Sequence, residues 1–215
     1  MPLQCHLDSH SVAIAAAFNA DPGPDPWEGG PLVQQGFGPV VVRSGSSGRR
    51  FIRPMHWGYP AAGQSTELTA AGDLRWVFHV RNFDSPFWIG NFRHVGLRCL
   101  IPMTSFHYRS NRPGVPMIVC TLPDRPIFAV AGIWRDLTDM PVSAMLVTEP
   151  SSALIPVEGG KAPVSMPAIL PMGSEERWLC ADWKEARELI RPVSAAGLCV
   201  EERAATGSDF RSPSR

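Results

Sequence analysis

Hydrophobic residues keep a helical spacing in only two stretches of this chain; elsewhere they come in short runs that stop at Pro, Gly, Asn or Asp. The first stretch, residues 12–18 (VAIAAAF), is alanine-rich and follows Ser9 and Ser11, whose hydroxyls offer N-cap acceptors, so it predicts a short helix. The second, residues 174–191, predicts the one long helix. Ser174 can cap it, Glu175 and Glu176 suit its positive end, and Pro192 stops it. Trp178, Leu179, Ala186, Leu189 and Ile190 supply much of its apolar face. Residues 21–31 (DPGPDPWEGGP) carry four prolines and three glycines and predict an exposed loop.

Residues 39–43 (PVVVR) read as a strand and 44–48 as its turn. Six further β-like runs follow at 51–57, 75–81, 99–106, 117–122, 127–134 and 144–148. Short strands with few long helical periods predict a β-rich α+β fold over a doubly wound sheet. A chain of 215 residues is long enough for one buried core and short for two. We therefore expect one domain over residues 1–193, with 194–215, rich in Glu, Arg, Ala, Gly and Ser, as a flexible tail.

Composition narrows the classes of function. Lys and Arg number 20, as do Asp and Glu, so no global field draws the chain toward DNA or an anionic membrane, and a nucleic-acid site has to be local. The signs are unevenly spread: Arg43, Arg49, Arg50, Arg53, Arg75, Arg81, Arg93, Arg98, Arg109 and Arg112 crowd the first half, and Glu175, Glu176, Glu185 and Glu188 the last part. Five cysteines, Cys5, Cys99, Cys120, Cys180 and Cys199, are widely spaced, without a C-x-x-C pair or a zinc-ligand cluster. They fit a reducing cytoplasm. With no basic leader and one short apolar run near the start, we expect a cytoplasmic, monomeric protein that uses no cofactor, metal or membrane.

Seven tryptophans among clustered arginines match the stacking platforms and phosphate ligands of single-strand binders, although on the residues alone packing is the stronger explanation for most of them. Trp27 and Trp88 sit by prolines in expected loops, and Trp178 and Trp183 on the last helix. Trp57, in RPMHWGYP, differs because Gly58 and Pro60 make a turn able to present its ring. No nucleophile elbow, P-loop, Rossmann glycine pattern or HExxH occurs. His6, His10, His56, His94 and His107 form no ligand set, and Arg98, Cys99 and Cys120 are assigned to the fold.

The order of segments adds a resemblance. A cysteine near the start followed by a helix, then PVVVR, HWGYP, VRNFDSPFW, RCLIPMTSFHY, IFAVAGIWRD, MLVTEP and MPAILP resembles the SRAP family, the SOS response-associated peptidases that process abasic sites in DNA. That resemblance implies a compact α+β domain with a β-rich, barrel-like core, flanking helices and a positively charged groove. It also implies chemistry. An N-terminal cysteine attacks the aldehyde of an abasic site in single-stranded DNA: its amine forms a Schiff base and its thiol closes a thiazolidine, with an asparagine, a glutamate and a histidine completing the site. Amine and thiol on one residue gain the advantage of an intramolecular pair, and neighbouring acid and base groups move the protons.

Here each of these positions departs from the family pattern. Cys5 is the nearest match to the reactive cysteine, but Met1, Pro2, Leu3 and Gln4 precede it, so its nitrogen is an amide unless the chain is trimmed. The family's asparagine falls on His79, its glutamate on Tyr108 and its histidine on Glu158. In the groove, Arg81 falls on the family's arginine, Trp57 on its tryptophan, and Lys161 stands where a phosphate contact is expected. The expectation is a domain that binds single-stranded or abasic DNA in the damage response with a degenerate catalytic site. Two alternatives stay open: crosslinking through an exposed Cys5, with His79, Tyr108 and Glu158 exchanging protons, and iminium chemistry at a free Pro2 amine.

Overall fold

The computed structural model describes residues 3–60, 76–109, 117–137, 140–155 and 163–203. Its first part runs β1 (Leu3–Leu7), α1 (Ser11–Phe18), β2 (Ala20–Asp21), β3 (Gly30–Leu32), β4 (Phe37–Arg43), β5 (Arg50–Trp57) and β6 (Tyr59–Pro60). Next come β7 (Trp76–Val77), β8 (His79–Val80), α2 (Pro86–Arg93), β9 (Arg98–Met103), β10 (Ser105–Arg109) and β11 (Met117–Thr121). The last part holds β12 (Phe128–Leu137), β13 (Met140–Thr148), β14 (Met166–Pro167), α3 (Glu175–Cys180), α4 (Trp183–Arg187) and β15 (Cys199–Arg203).

Five strands close on themselves. The order β13-β12-β9-β4-β5 is antiparallel throughout, and β5 returns to β13 through the parallel pairs His56 with Val142 and Trp57 with Ser143. A second sheet, β15-β11-β10-β1-β3, grows from the same chain where β9 passes into β10 at Thr104. That corner is pinned to β1: the Thr104 amide and hydroxyl both donate to the His6 carbonyl, and Asp8 N donates back to the hydroxyl. This is the α+β, barrel-like architecture that the resemblance implies.

Strand alternation divides the core in two. Val41, Leu100, Ala131, Ile133, Ala144 and Leu146 join α1, α2, α3 and α4 in one buried cluster. Val40, Val42, Ile101, Val130 and Met145, one position over on the same strands, join Cys5, Phe106 and Ile118 of the second sheet in the other. Gly132 stands where β12 passes β9, and a Cβ there would lie 2.8 Å from Cys99 Sγ and from Ile101 Cδ1. No helix of the described residues is long and apolar enough to cross a membrane.

Four expectations change. The long helix over 174–191 is broken into α3 and α4, because Ala181 turns extended and Asp182 caps α4 by accepting from Glu185 N at 2.9 Å. The released carbonyls of Trp178 and Ala181 accept from the buried Arg98 guanidinium at 3.0 and 2.7 Å. In α1 the cap is His10, whose Nδ1 accepts from Ala13 N, while the Ser11 hydroxyl is turned to Asp25. Trp88 lies in a helix and not in a loop: Ser85 before Pro86 is a start signal the sequence reading passed over. Residues 199–203, expected within a flexible tail from residue 194, instead form β15, which pairs with β11 from Cys199 to Arg203; residues 204–215 lie outside the described residues.

Candidate functional site

The candidate residues are set by strand pairing. Cys5 is the middle residue of β1, flanked by β10 on one side and β3 on the other, with Phe106 and Leu32 as its partners. Its Sγ side faces the apolar cluster, 1 % of the residue is exposed, and burial pushes the thiol far above its ordinary range. Leu3 and Gln4 before it continue the ladder opposite Tyr108 and His107.

Tyr108 shares that cluster, ring edge toward Phe106 at 5.8 Å. Its hydroxyl donates to the carbonyl of Ser165 at 2.7 Å, and burial raises its pKa, as do the neighbouring thiols Cys120 and Cys5. Ser165 stands immediately before β14, so the chain entering the Met-Pro segment reaches Tyr108 through a backbone carbonyl. Pro2, Glu158 and Lys161 lie outside the described residues.

Trp57 ends β5. Its backbone is held by Gln35 and Gly36, and Gly58 takes φ +137°, donating its N–H to Ser143 O at 2.8 Å. A Cβ at Gly58 would lie 2.9 Å from the Phe78 ring, so glycine is what lets the turn fold over this aromatic. The turn does not present the indole: Trp57 is 7 % exposed and Nε1 donates to Phe78 O at 3.2 Å. His79 meets Trp57 edge-on at 5.7 Å, and burial lowers its pKa to about 4, leaving it a neutral imidazole. Parallel pairing of β8 with β13 runs Arg81 out beside the end of β13, where it meets Glu149 at 2.7 Å. The arginine is half exposed.

Cys5, Trp57 and Tyr108 therefore share one apolar cluster, His79 lies against Trp57, and Arg81 stands apart at the surface. The structure adds a row of rings that the sequence reading did not single out. Phe37, 56 % exposed, meets His56 edge-on at 5.7 Å, and His56 meets Trp76 at 4.8 Å. Counting outward from the 44–48 turn pairs Phe37 with His56, so half of this row was readable from hairpin register. Beside it an apolar recess is lined by Leu32, Val33, Met55, Trp57 and Met103. Among the described residues, no group of three or more His, Cys, Asp or Glu side chains is placed to hold a metal ion.

No curated protein matches the sequence. Among solved structures, a protein from Bordetella bronchiseptica superposes with a TM-score of 0.73 at 17% identity, covering 95% of this chain and 100% of that one. A protein from Bacteroides thetaiotaomicron gives 0.71 at 17% identity over 93% and 90%, and a phage-related protein from Bordetella bronchiseptica 0.66 at 12% over 94% of each. These likenesses establish the fold. The family described as SOS response associated peptidase (SRAP) matches residues 16–203, which take in the whole closed barrel and the second sheet apart from β1. By that match the chain belongs to the SOS response associated peptidase family, and so to a family tied to the DNA-damage response.

Proposed function

We propose that this protein binds single-stranded DNA, abasic sites included, and holds it without forming a covalent bond. The observation that carries the reading is the position of Cys5: mid-strand, paired on both sides, its thiol buried and its nitrogen an amide. A Schiff base needs a free amine, and thiazolidine closure needs the thiol beside it. The proton-moving partners have changed with it. His79 is a half-buried, neutral imidazole, and Tyr108 has its proton committed to Ser165.

Binding needs none of these groups. Exposed Phe37 and half-buried Trp76, set on either side of the buried His56 ring, supply flat faces, and base stacking on such rings is worth about 1–3 kcal/mol per base. Arg81 is half exposed and exchanges Glu149 for a phosphate at little cost, since an exposed ion pair contributes about 1 kcal/mol or less. Lys161, carried over from the resemblance, supplies a second phosphate contact. Trp57 acts from behind, fixing Phe78 and His79.

Fluorescence anisotropy with a labelled single strand, intact and abasic, tests this directly. The expected result is reversible binding that weakens with added salt, with no adduct surviving a denaturing gel and intact mass retaining residues ahead of Cys5. Absence of binding at low salt overturns the DNA role. A denaturant-stable adduct, together with a mass that starts at Cys5, overturns the non-covalent reading.

A further inference from the structure

The β4–β5 hairpin has a second functional end. Phe37 and His56 pair at one end and Arg43 and Arg50 at the other, six residues along the strand or about 20 Å away. There the turn, the end of α1 and the start of α3 border an open polar recess of about 730 Å3. Arg43, Arg49 and Arg50 all line it, against two carboxylates, Asp21 and Glu176.

These arginines are not equivalent. Arg50 is fixed, donating NH1 to the Phe18 carbonyl at 2.9 Å and NH2 to Glu176 at 2.8 Å. Arg43 approaches the same carboxylate through Nε at 3.3 Å, and its NH2 lies over Gly48, where a Cβ would come within 3.0 Å. Gly48, at φ +70°, is the residue that leaves room for it. Arg49 is exposed and makes no ion pair among the described residues. Glu176 is thus a resident anion held between two arginines, with the Cys180 thiol donating to its Oε1. Asp21 is turned to its own loop, accepting from Gly23 N at 2.9 Å.

We propose that this recess is a phosphate-binding site, in which a phosphoryl group takes the place of the Glu176 carboxylate between Arg43 and Arg50 and is closed over by Arg49. Guanidinium groups suit phosphate oxygens, and the carboxylate now lying between Arg43 and fixed Arg50 is an anion of similar reach. The site stands independently of DNA binding at the Trp57 end. Its phosphate comes either from a nucleic-acid strand or from a free phosphorylated compound.

The test is a titration of the full-length, isotope-labelled protein with inorganic pyrophosphate, followed by NMR at the Gly48 and Arg49 amides and the arginine Nε–H groups. Saturable shifts confined to the turn are expected. Arg49→Glu, at an exposed position, should weaken binding by about tenfold or more, the loss of one charge-assisted contact. Glu176→Gln should tighten it, because the competing charge is gone; a purely structural cluster predicts no gain. Repeating the titration with a single-stranded oligonucleotide identifies the source: shifts at the same signals assign a strand phosphate, and shifts with pyrophosphate alone a free ligand. No response of the turn to either probe, or binding indifferent to Arg49→Glu, overturns the proposal.

Discussion

The Tyr108 hydroxyl donates to the Ser165 carbonyl at 2.7 Å, joining β10 to the residue that leads into β14. A position that the family resemblance gives to a carboxylate is therefore committed here to a backbone contact inside an apolar cluster. Tyr108→Phe should lower stability by about 1 kcal/mol, the net value of one hydrogen bond. Tyr108→Glu should cost about 3 kcal/mol or more, since the new charge has no partner in the cluster. Urea titration of both variants measures the difference, and a Glu variant as stable as the Phe variant would show that the cluster admits water.

His79 makes stability depend on pH in a defined window. Its folded pKa is near 4 and its ordinary value 6.5, so between these limits the unfolded chain binds a proton that the folded chain refuses. The contribution is fully present above pH 6.5 and is lost as pH falls toward 4, by about 3 kcal/mol at most. Asp84 and Glu176, with depressed carboxyl pKa values, add acid losses of the same sign. Comparison with His79→Asn isolates the histidine: the variant's stability curve should be flatter between pH 6.5 and 4, and parallel curves would refute a desolvated neutral ring.

Thiol reactivity should separate the five cysteines. Cys180 is exposed and Cys199 partly so, whereas Cys5, Cys99 and Cys120 are buried, with thiols raised by desolvation, Cys120 to about 12. Alkylation of the native protein followed by peptide mass mapping should label Cys199 and, more slowly because partial burial and its hydrogen bond to Glu176 raise its thiol pKa too, Cys180, and spare the other three until denaturant is added. Rapid native labelling of Cys5 would mean that β1 opens.

Arg98 holds the break between the last two helices. Its Nε donates to Phe92 O at 2.7 Å, NH1 reaches Trp178 O and Ala181 O, and the guanidinium lies 5.5 Å from the Trp178 ring centre. Arg98→Met leaves three carbonyls without their donor and should cost about 3 kcal/mol or more. Arg98→Lys should recover little, because one ammonium cannot span the planar fork. Thermal unfolding of the two variants decides it.

What the sequence disclosed depended on how local the cause was. PVVVR, RCLIP and IFAVAGIW carry their strand signals within five to eight residues, and the order of those segments carried the family. Helix α2 was signalled by Ser85 and Pro86 but hidden by the surrounding aromatics. The break at Ala181 was not legible, because it depends on Arg98, some eighty residues earlier, taking two carbonyls of the last helices. The same holds for the site. That Cys5 follows four residues is plain in the sequence, but that those residues belong to a paired strand requires β10. Trp57 looked presentable because Gly58 and Pro60 bend the chain, yet Phe78, arriving from some twenty residues on, takes the indole N–H hydrogen bond on its carbonyl and sets its ring edge-on to the indole.

The last strand has a consequence for protein engineering. β15 borders β11, whose Met117, Ile118, Val119 and Cys120 are buried, and it carries Glu201, Glu202 and Arg203 on the outermost rim. Charged rims discourage edge-to-edge joining of separate molecules. A version of the protein shortened before Cys199 would bare the apolar β11 rim, and it should polymerise or precipitate at concentrations where the longer form stays dispersed.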